Sequence, residues 1–188
     1  MRRIALFLAL IISLTLAASA QTSPKGSGQT SSGKGKGYGY VFGSGGVTDR
    51  FGDILAGEDG STIHIGGGGE FITKNGLGIG GELGYLANQE SIGDGIGTFS
   101  INGSYHFLKS SKPGKVVPFV TGGYTGFLVT GGYTGSFRGD YANGINFGAG
   151  INYWFKPRVG LRFEFRDNVW LPENAQHFFN FRVGLTFR

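Results

Sequence analysis

The sequence predicts an all-β chain, an eight-stranded antiparallel up-and-down barrel that crosses a membrane. Three observations predict it. Segments of about ten residues alternate apolar and polar positions with a period of two. The two faces so defined differ too much to share one solvent. The chain also opens on a stretch with the character of an export signal.

The clearest strand is the last, 178–188, in which Phe179, Phe181, Val183, Leu185 and Phe187 form one row. A strand tilted by roughly 45° needs about ten residues to cross a bilayer, and this one has them. Five further segments repeat the pattern. Their apolar rows are Ile63-Ile65-Gly67-Gly69-Phe71, Leu77-Ile79-Gly81-Leu83-Tyr85, Phe99-Ile101-Gly103-Tyr105-Phe107, Ile145-Phe147-Ala149-Ile151-Tyr153-Phe155 and Val159-Leu161-Phe163-Phe165. None of these positions is charged. The interleaved even positions carry Glu70, Glu82, Arg158, Arg162, Glu164, Arg166, Arg182 and Arg188, together with most of the strand glycines.

A soluble barrel of lipocalin type would turn the apolar face inward, and a membrane barrel turns it outward. Glycine decides between them. A water-facing strand gains nothing from glycine, whereas a narrow barrel interior must seat small residues beside large ones. Gly66, Gly68, Gly78, Gly80, Gly84, Gly148, Gly150 and Gly184 all lie on the charged face, so that face is the lumen. Aromatics at row ends (Tyr85, Phe107, Tyr153, Phe155, Phe187) match the interfacial girdles of membrane barrels.

Residues 1–20 combine a basic start (Arg2, Arg3), an apolar core from Ile4 to Leu16, and the small residues Ala18 and Ala20. That is a secretory signal peptide cleaved after Ala20; the apolar run is short for a membrane helix. Residues 21–36 are Gly/Ser-rich, with Lys25, Lys34 and Lys36, and read as a flexible periplasmic spacer. The barrel is expected from 37 to 188.

The chain has 188 residues and carries a formal charge of +5, of which Arg2 and Arg3 supply two. Its length suits one domain and eight strands, whose interior side chains fill without an open pore. The absence of cysteine excludes disulfides and thiol chemistry. Nucleic-acid binding is not expected, because the arginines alternate with Phe and Leu along strands rather than forming an exposed basic patch.

Two weaker strands complete the count. Residues 38–47 would be the first, presenting Tyr38, Tyr40 and Phe42. Residues 116–127 would be the fifth, with Pro118 near its start, and both of its parities are apolar, so its facing stays open. Lys74-Asn75-Gly76 and Lys156-Pro157 are tight turns, and 109–115 is a modest one. Longer loops are expected near 48–60, 87–97, 128–143 and 167–177. Short periplasmic turns opposite long exterior loops are the bacterial outer-membrane pattern, with both termini in the periplasm. The segment Val120–Gly126 recurs at Val129–Gly135 and reads as a local duplication lengthening the fifth strand.

These strands, the signal peptide, the run from Tyr153 to Asp167 (YWFKPRVGLRFEFRD) and the Phe-rich end resemble the OmpA/OmpX-type outer-membrane β-barrel family. The resemblance covers residues 38–188. It differs in having no peptidoglycan-binding domain after the barrel and in ending on Arg188 where the family usually ends on an aromatic. The resemblance implies that the outer-membrane assembly machinery reads the last strand, with Phe187 standing in for the terminal aromatic and Phe181 and Leu185 supporting it. It also implies that a charge network blocks the lumen. Arg188 is expected to be dispensable.

The candidate network is Glu70, Glu82, Arg158, Arg162, Glu164, Arg166 and Arg182, since unpaired charge inside a filled barrel is costly. It is read as a structural plug, with an ion gate as the alternative. A lipid A-modifying enzyme would need a convergent nucleophile and base. His64 falls near the exterior end of the second strand, His106 near the periplasmic end of the fourth, and His177 in the last loop, so no catalytic or metal constellation is expected. The loop carboxylates Asp49, Asp53, Glu58, Asp59, Glu90, Asp94, Asp167 and Glu173 are expected to be solvated rather than to hold a cation. The expected protein is a monomeric, cofactor-free, non-enzymatic barrel of the bacterial outer membrane. It would contact outer-membrane lipid and lipopolysaccharide, support the envelope and present its loops outward.

Overall fold

A computed structural model describes residues 35–48, 60–89, 92, 95–107, 115–130, 139–171 and 175–188. Eight strands, β1 (Lys36–Thr48), β2 (Ser61–Ile72), β3 (Leu77–Asn88), β4 (Ile96–His106), β5 (Lys115–Thr130), β6 (Gly139–Trp154), β7 (Val159–Trp170) and β8 (Gln176–Phe187), form a closed barrel in sequence order. Every neighbouring pair is antiparallel. The ring closes between β1 and β8, from Gly39 opposite Phe187 to Thr48 opposite Phe178. Closure leaves no edge whose amides would face lipid unpaired.

The alternation read from the sequence becomes inside and outside. On β7, Arg162, Glu164 and Arg166 are buried, while Phe165 between them is 53% exposed. Ile79, Ile101, Phe147 and Phe181 are likewise exposed on the outer wall. The open facing of β5 is resolved: Val117, Phe119, Thr121, Thr125 and Phe127 point inward, and Val116, Val120 and Leu128 outward. On β1, Tyr40 and Phe42 point inward too, so these aromatics are not part of the outer row. Introducing arginine at Phe163, which pairs with Ile151 and Val183, should cost about 2–4 kcal/mol near the midplane. A urea midpoint unchanged in the Phe163→Arg protein would mean that this wall faces water.

One end of the barrel carries the turns. Between β2 and β3 the Thr73 amide donates to the Leu77 carbonyl (2.7 Å), and Gly76 sits at φ +87°, a left-handed conformation that glycine adopts without strain. Between β6 and β7 the Lys156 amide donates to the Val159 carbonyl (3.1 Å). The linker between β4 and β5 has residues 108–114 outside the described set.

The opposite, loop end corrects several boundaries. β5 and β6 each run 16 residues. At about 3.3 Å per residue and a tilt near 40°, each rises roughly 40 Å, well beyond an apolar band of about 25 Å. The loops expected over 128–143 and 167–177 are therefore shorter: strand pairing continues to Thr130 and Trp170 and resumes at Gly139 and Gln176. Ala87 and Asn88 belong to β3, and Ile96 and Gly97 to β4. His177 lies in β8, not in a loop, and Lys36 already belongs to β1. The cause is common to all: a hairpin keeps its backbone ladder where alternation of side chains fades, because paired amides need no apolar face. The second copy of the short repeat begins in β5 with Val129 and Thr130, and its remainder lies outside the described residues.

Candidate functional site

Inward-facing charge comes from two hairpins that flank β1 in the closed ring. The β2–β3 hairpin supplies Glu70 and Glu82, and the β7–β8 hairpin supplies Arg162, Glu164, Arg166 and Arg182. On β7 the sequence Arg-Phe-Glu-Phe-Arg sets the three charges two residues apart, so all share the lumen face.

These side chains form one continuous chain along the barrel axis. At its turn end His106 Nε2 lies 3.1 Å from Glu70 Oε2, which also accepts from Ser104 Oγ (3.0 Å). Arg162 Nη1 donates to Glu70 Oε1 (3.1 Å), and its Nε donates to Glu164 Oε2 (3.1 Å). Arg166 Nε donates to Glu164 Oε1 at 2.6 Å, while its Nη1 lies 3.6 Å from Glu82 Oε2, a charge contact rather than a hydrogen bond. Arg182 Nη1 donates to Glu82 Oε1 (2.8 Å), and the Tyr40 hydroxyl donates to Glu82 Oε2 (3.0 Å). Arg182 Nη2 donates to His64 Nδ1 (3.0 Å), which leaves His64 Nε2 as the donor to Thr98 Oγ1 (3.1 Å).

Three arginines thus alternate with three glutamates, all nearly inaccessible to solvent, and the set is electrically neutral. Desolvated charge survives only with such pairing. Aromatic faces complete the shell. Arg162 lies between Tyr40 (4.4 Å to the ring centre) and Phe119 (4.0 Å), and Arg182 lies over Phe42 (4.2 Å). Glycine makes the room: a Cβ at Gly84 would strike the His64 ring, and one at Gly148 would lie 3.1 Å from Glu164 Oε1.

Across the lumen a neutral cluster joins β4, β5 and β6. Asn146 Nδ2 donates to Asn102 Oδ1 and Thr125 Oγ1, both at 2.8 Å, and Thr125 meets Ser100 at 2.9 Å. Both lumen ends are apolar. At the loop end Leu86, Ile96, Phe127, Ala142 and Phe178 form a buried cluster against Trp170. At the turn end Ile72, Val117 and Trp154 are buried, and Tyr38 packs on Trp154 with ring centres 5.7 Å apart.

Six of the seven residues expected in the charge network are in it. Arg158 is not. It is exposed in the β6–β7 turn, where its carbonyl accepts from the Arg188 amide (3.1 Å). Parity counted back from Arg162 placed it inside, but the chain has already left the ladder at 155–158. His64 and His106, not assigned to the network from sequence, are members at its two ends. Their even parity was a usable signal, but their partners lie 118 and 36 residues away. His177 pairs instead with Asp167 (2.8 Å), which is buried near the loop end of β7 rather than solvated in a loop as expected, because the β7–β8 ladder continues past it.

Phe181, Leu185 and Phe187 form the expected outward row on β8, with Phe181 and Leu185 exposed. Arg188, expected to be dispensable, is engaged: its guanidinium lies 4.3 Å from the Trp154 ring centre and its Nε donates to the Pro157 carbonyl (2.6 Å). The cleavage residues Ala18 and Ala20 and the carboxylates Asp49, Asp53, Glu58, Asp59, Glu90, Asp94 and Glu173 lie outside the described residues. Among the described residues no three metal-ligating side chains converge.

An eight-stranded closed barrel with an apolar wall and a charge-paired lumen defines a small transmembrane β-barrel. The chain belongs to the outer membrane protein β-barrel domain family, whose model matches residues 4–187. It is an outer-membrane protein. Its fold is similar to the N-terminal barrel domain of Pseudomonas aeruginosa OprF (18% identity, TM-score 0.55, 82% of this chain and 100% of that one). It is also similar to Neisserial surface protein A (16%, TM-score 0.60, 80% and 96%) and to Ail, the attachment invasion locus protein of Yersinia pestis (11%, TM-score 0.50, 82% and 97%). No curated protein matches the chain.

Proposed function

We propose that the protein is a non-enzymatic, non-conducting barrel that supports the outer membrane and presents its loops outside the cell. The carrying observation is the neutral chain of three arginines and three glutamates, closed at both ends by apolar side chains. An ion entering such a lumen must displace a paired charge and pass the Phe127–Phe178 contact, whose ring centres are 6.1 Å apart. The turns face the periplasm and the extended β5–β6 hairpin rises toward the exterior, as the turn and loop lengths of outer-membrane barrels support.

Pure protein in a planar bilayer is expected to give no steady conductance, and the Phe127→Ala, Phe178→Ala double variant only brief openings. Stable unitary currents from the unmodified protein would instead make it a gated channel. Lipid A of unchanged mass on expression is the result expected of a non-enzyme. The mature chain begins at Gln21 in this reading, because Ala18 and Ala20 fit a signal-peptidase site. N-terminal sequencing of membrane-extracted protein that returned Met1 would contradict it.

A further inference from the structure

Among the described residues, the side chains exposed at the turn end of the barrel carry charge of one sign. Lys36 opens β1, Lys74 lies between β2 and β3, Lys115 opens β5, and Lys156 and Arg158 lie between β6 and β7. All five are exposed. Among the described residues no carboxylate side chain accompanies them. Glu70, Glu82 and Glu164 are turned inward and paired, and Asp140 and Asp167 lie toward the loop end.

Two further facts say what this charge meets. The cations are spread around the circumference, at β1, β2–β3, β5 and β6–β7, rather than gathered on one side. They also stand beside an outward aromatic band of Phe71, Tyr105, Phe107, Tyr153 and Phe155, the residue types that mark a membrane–water boundary. Lysine stems can lie along that band while the ammonium groups reach the headgroup layer. A protein or a wall polymer docking from below would be met by a patch. A ring suits a ligand that surrounds the barrel.

We propose that this ring binds the anionic headgroups of the phospholipid leaflet holding the turn end, so that acidic phospholipid is enriched in the first lipid shell. The inference rests on the membrane-spanning reading and names the lipid class that one rim selects. Charge near a lipid surface attracts acidic lipid with an energy that salt screens within a Debye length.

The test uses mature protein refolded in phosphatidylcholine vesicles containing trace spin-labelled phosphatidylglycerol or spin-labelled phosphatidylcholine. The motionally restricted fraction reports the lipid shell. Roughly a threefold preference for the glycerol lipid is expected at low salt, since each cation attracts acidic lipid in one leaflet only. The preference should fall to parity in the K36Q/K74Q/K115Q/K156Q/R158Q variant and persist when the four lysines become arginine. A heat-shift gel on each protein reports barrel closure separately, so failure of the membrane reading is distinguishable from failure of the ring. Equal association of both lipids with the unmodified protein overturns the proposal, as does a preference that survives the glutamine substitutions. Sedimentation with isolated peptidoglycan, retained by the unmodified protein and lost in the glutamine variant without any lipid preference, assigns the ring to the wall and also overturns it.

Discussion

Replacing Glu164 with leucine is expected to destabilise the barrel by about 3–5 kcal/mol, because it removes the shared partner of two buried arginines. Glu164 is 2% exposed and accepts from both Arg162 and Arg166. Without it Arg162 retains Glu70, but Arg166 keeps only its 3.6 Å contact with Glu82. The lumen then holds one uncompensated positive charge. The double variant Glu164→Leu, Arg166→Met restores neutrality, leaving Arg162 with Glu70 and Arg182 with Glu82. It should therefore be more stable than the single Glu164→Leu protein. Urea unfolding in lipid vesicles followed by the heat-shift gel compares them. A double variant as unstable as the two single losses added together would mean that the charges act independently.

Phe187→Asp is expected to abolish membrane assembly, leaving the chain in the periplasm and open to protease. Phe187 ends β8, opposite Gly39 of β1 and Val159 of β7, and continues the outward row of Phe181 and Leu185. A carboxylate there adds charge where the closing strand must enter the apolar layer, and it removes the last aromatic of the row. Fractionation and protease protection in cells, with a heat-shift gel on the recovered material, read the outcome. A Phe187→Asp protein that closes normally in the outer membrane would show that assembly does not depend on this side chain.

Six strands and their facing were legible in the sequence because one solvent is hydrocarbon. A lipid-facing row tolerates no charge, so its purity marks it. The lumen has no such rule. It accepts Tyr40, Phe42 and Phe119 because an arginine lies against each ring, and it accepts Phe127 and Phe178 because the mouth is dry. On β1 and β5, where aromatics face inward, apolar character stops distinguishing the faces. The charged site was legible as a set of positions but not as a set of contacts. Arg162 and Glu70 are 92 residues apart, and their meeting depends on the whole circumference closing in one register. Arg158 was misplaced for a related reason: parity is a property of the ladder, and its ladder begins one residue later.

The way charge is divided along the chain has a consequence for how the molecule is put together. The second and third strands bring two negative charges to the lumen, and the last two bring three positive and one negative. Neither hairpin is neutral by itself, and they are joined only when the sheet curls far enough for them to meet. A half-zipped sheet would leave a net charge of two negatives near one margin and two positives near the other without their partners, and unpaired charge facing hydrocarbon is costly. The same opposition draws the two margins together. Ring closure and cancellation of charge are then one event, and the molecule carries in its own lumen a check that every strand between the two hairpins has been laid down.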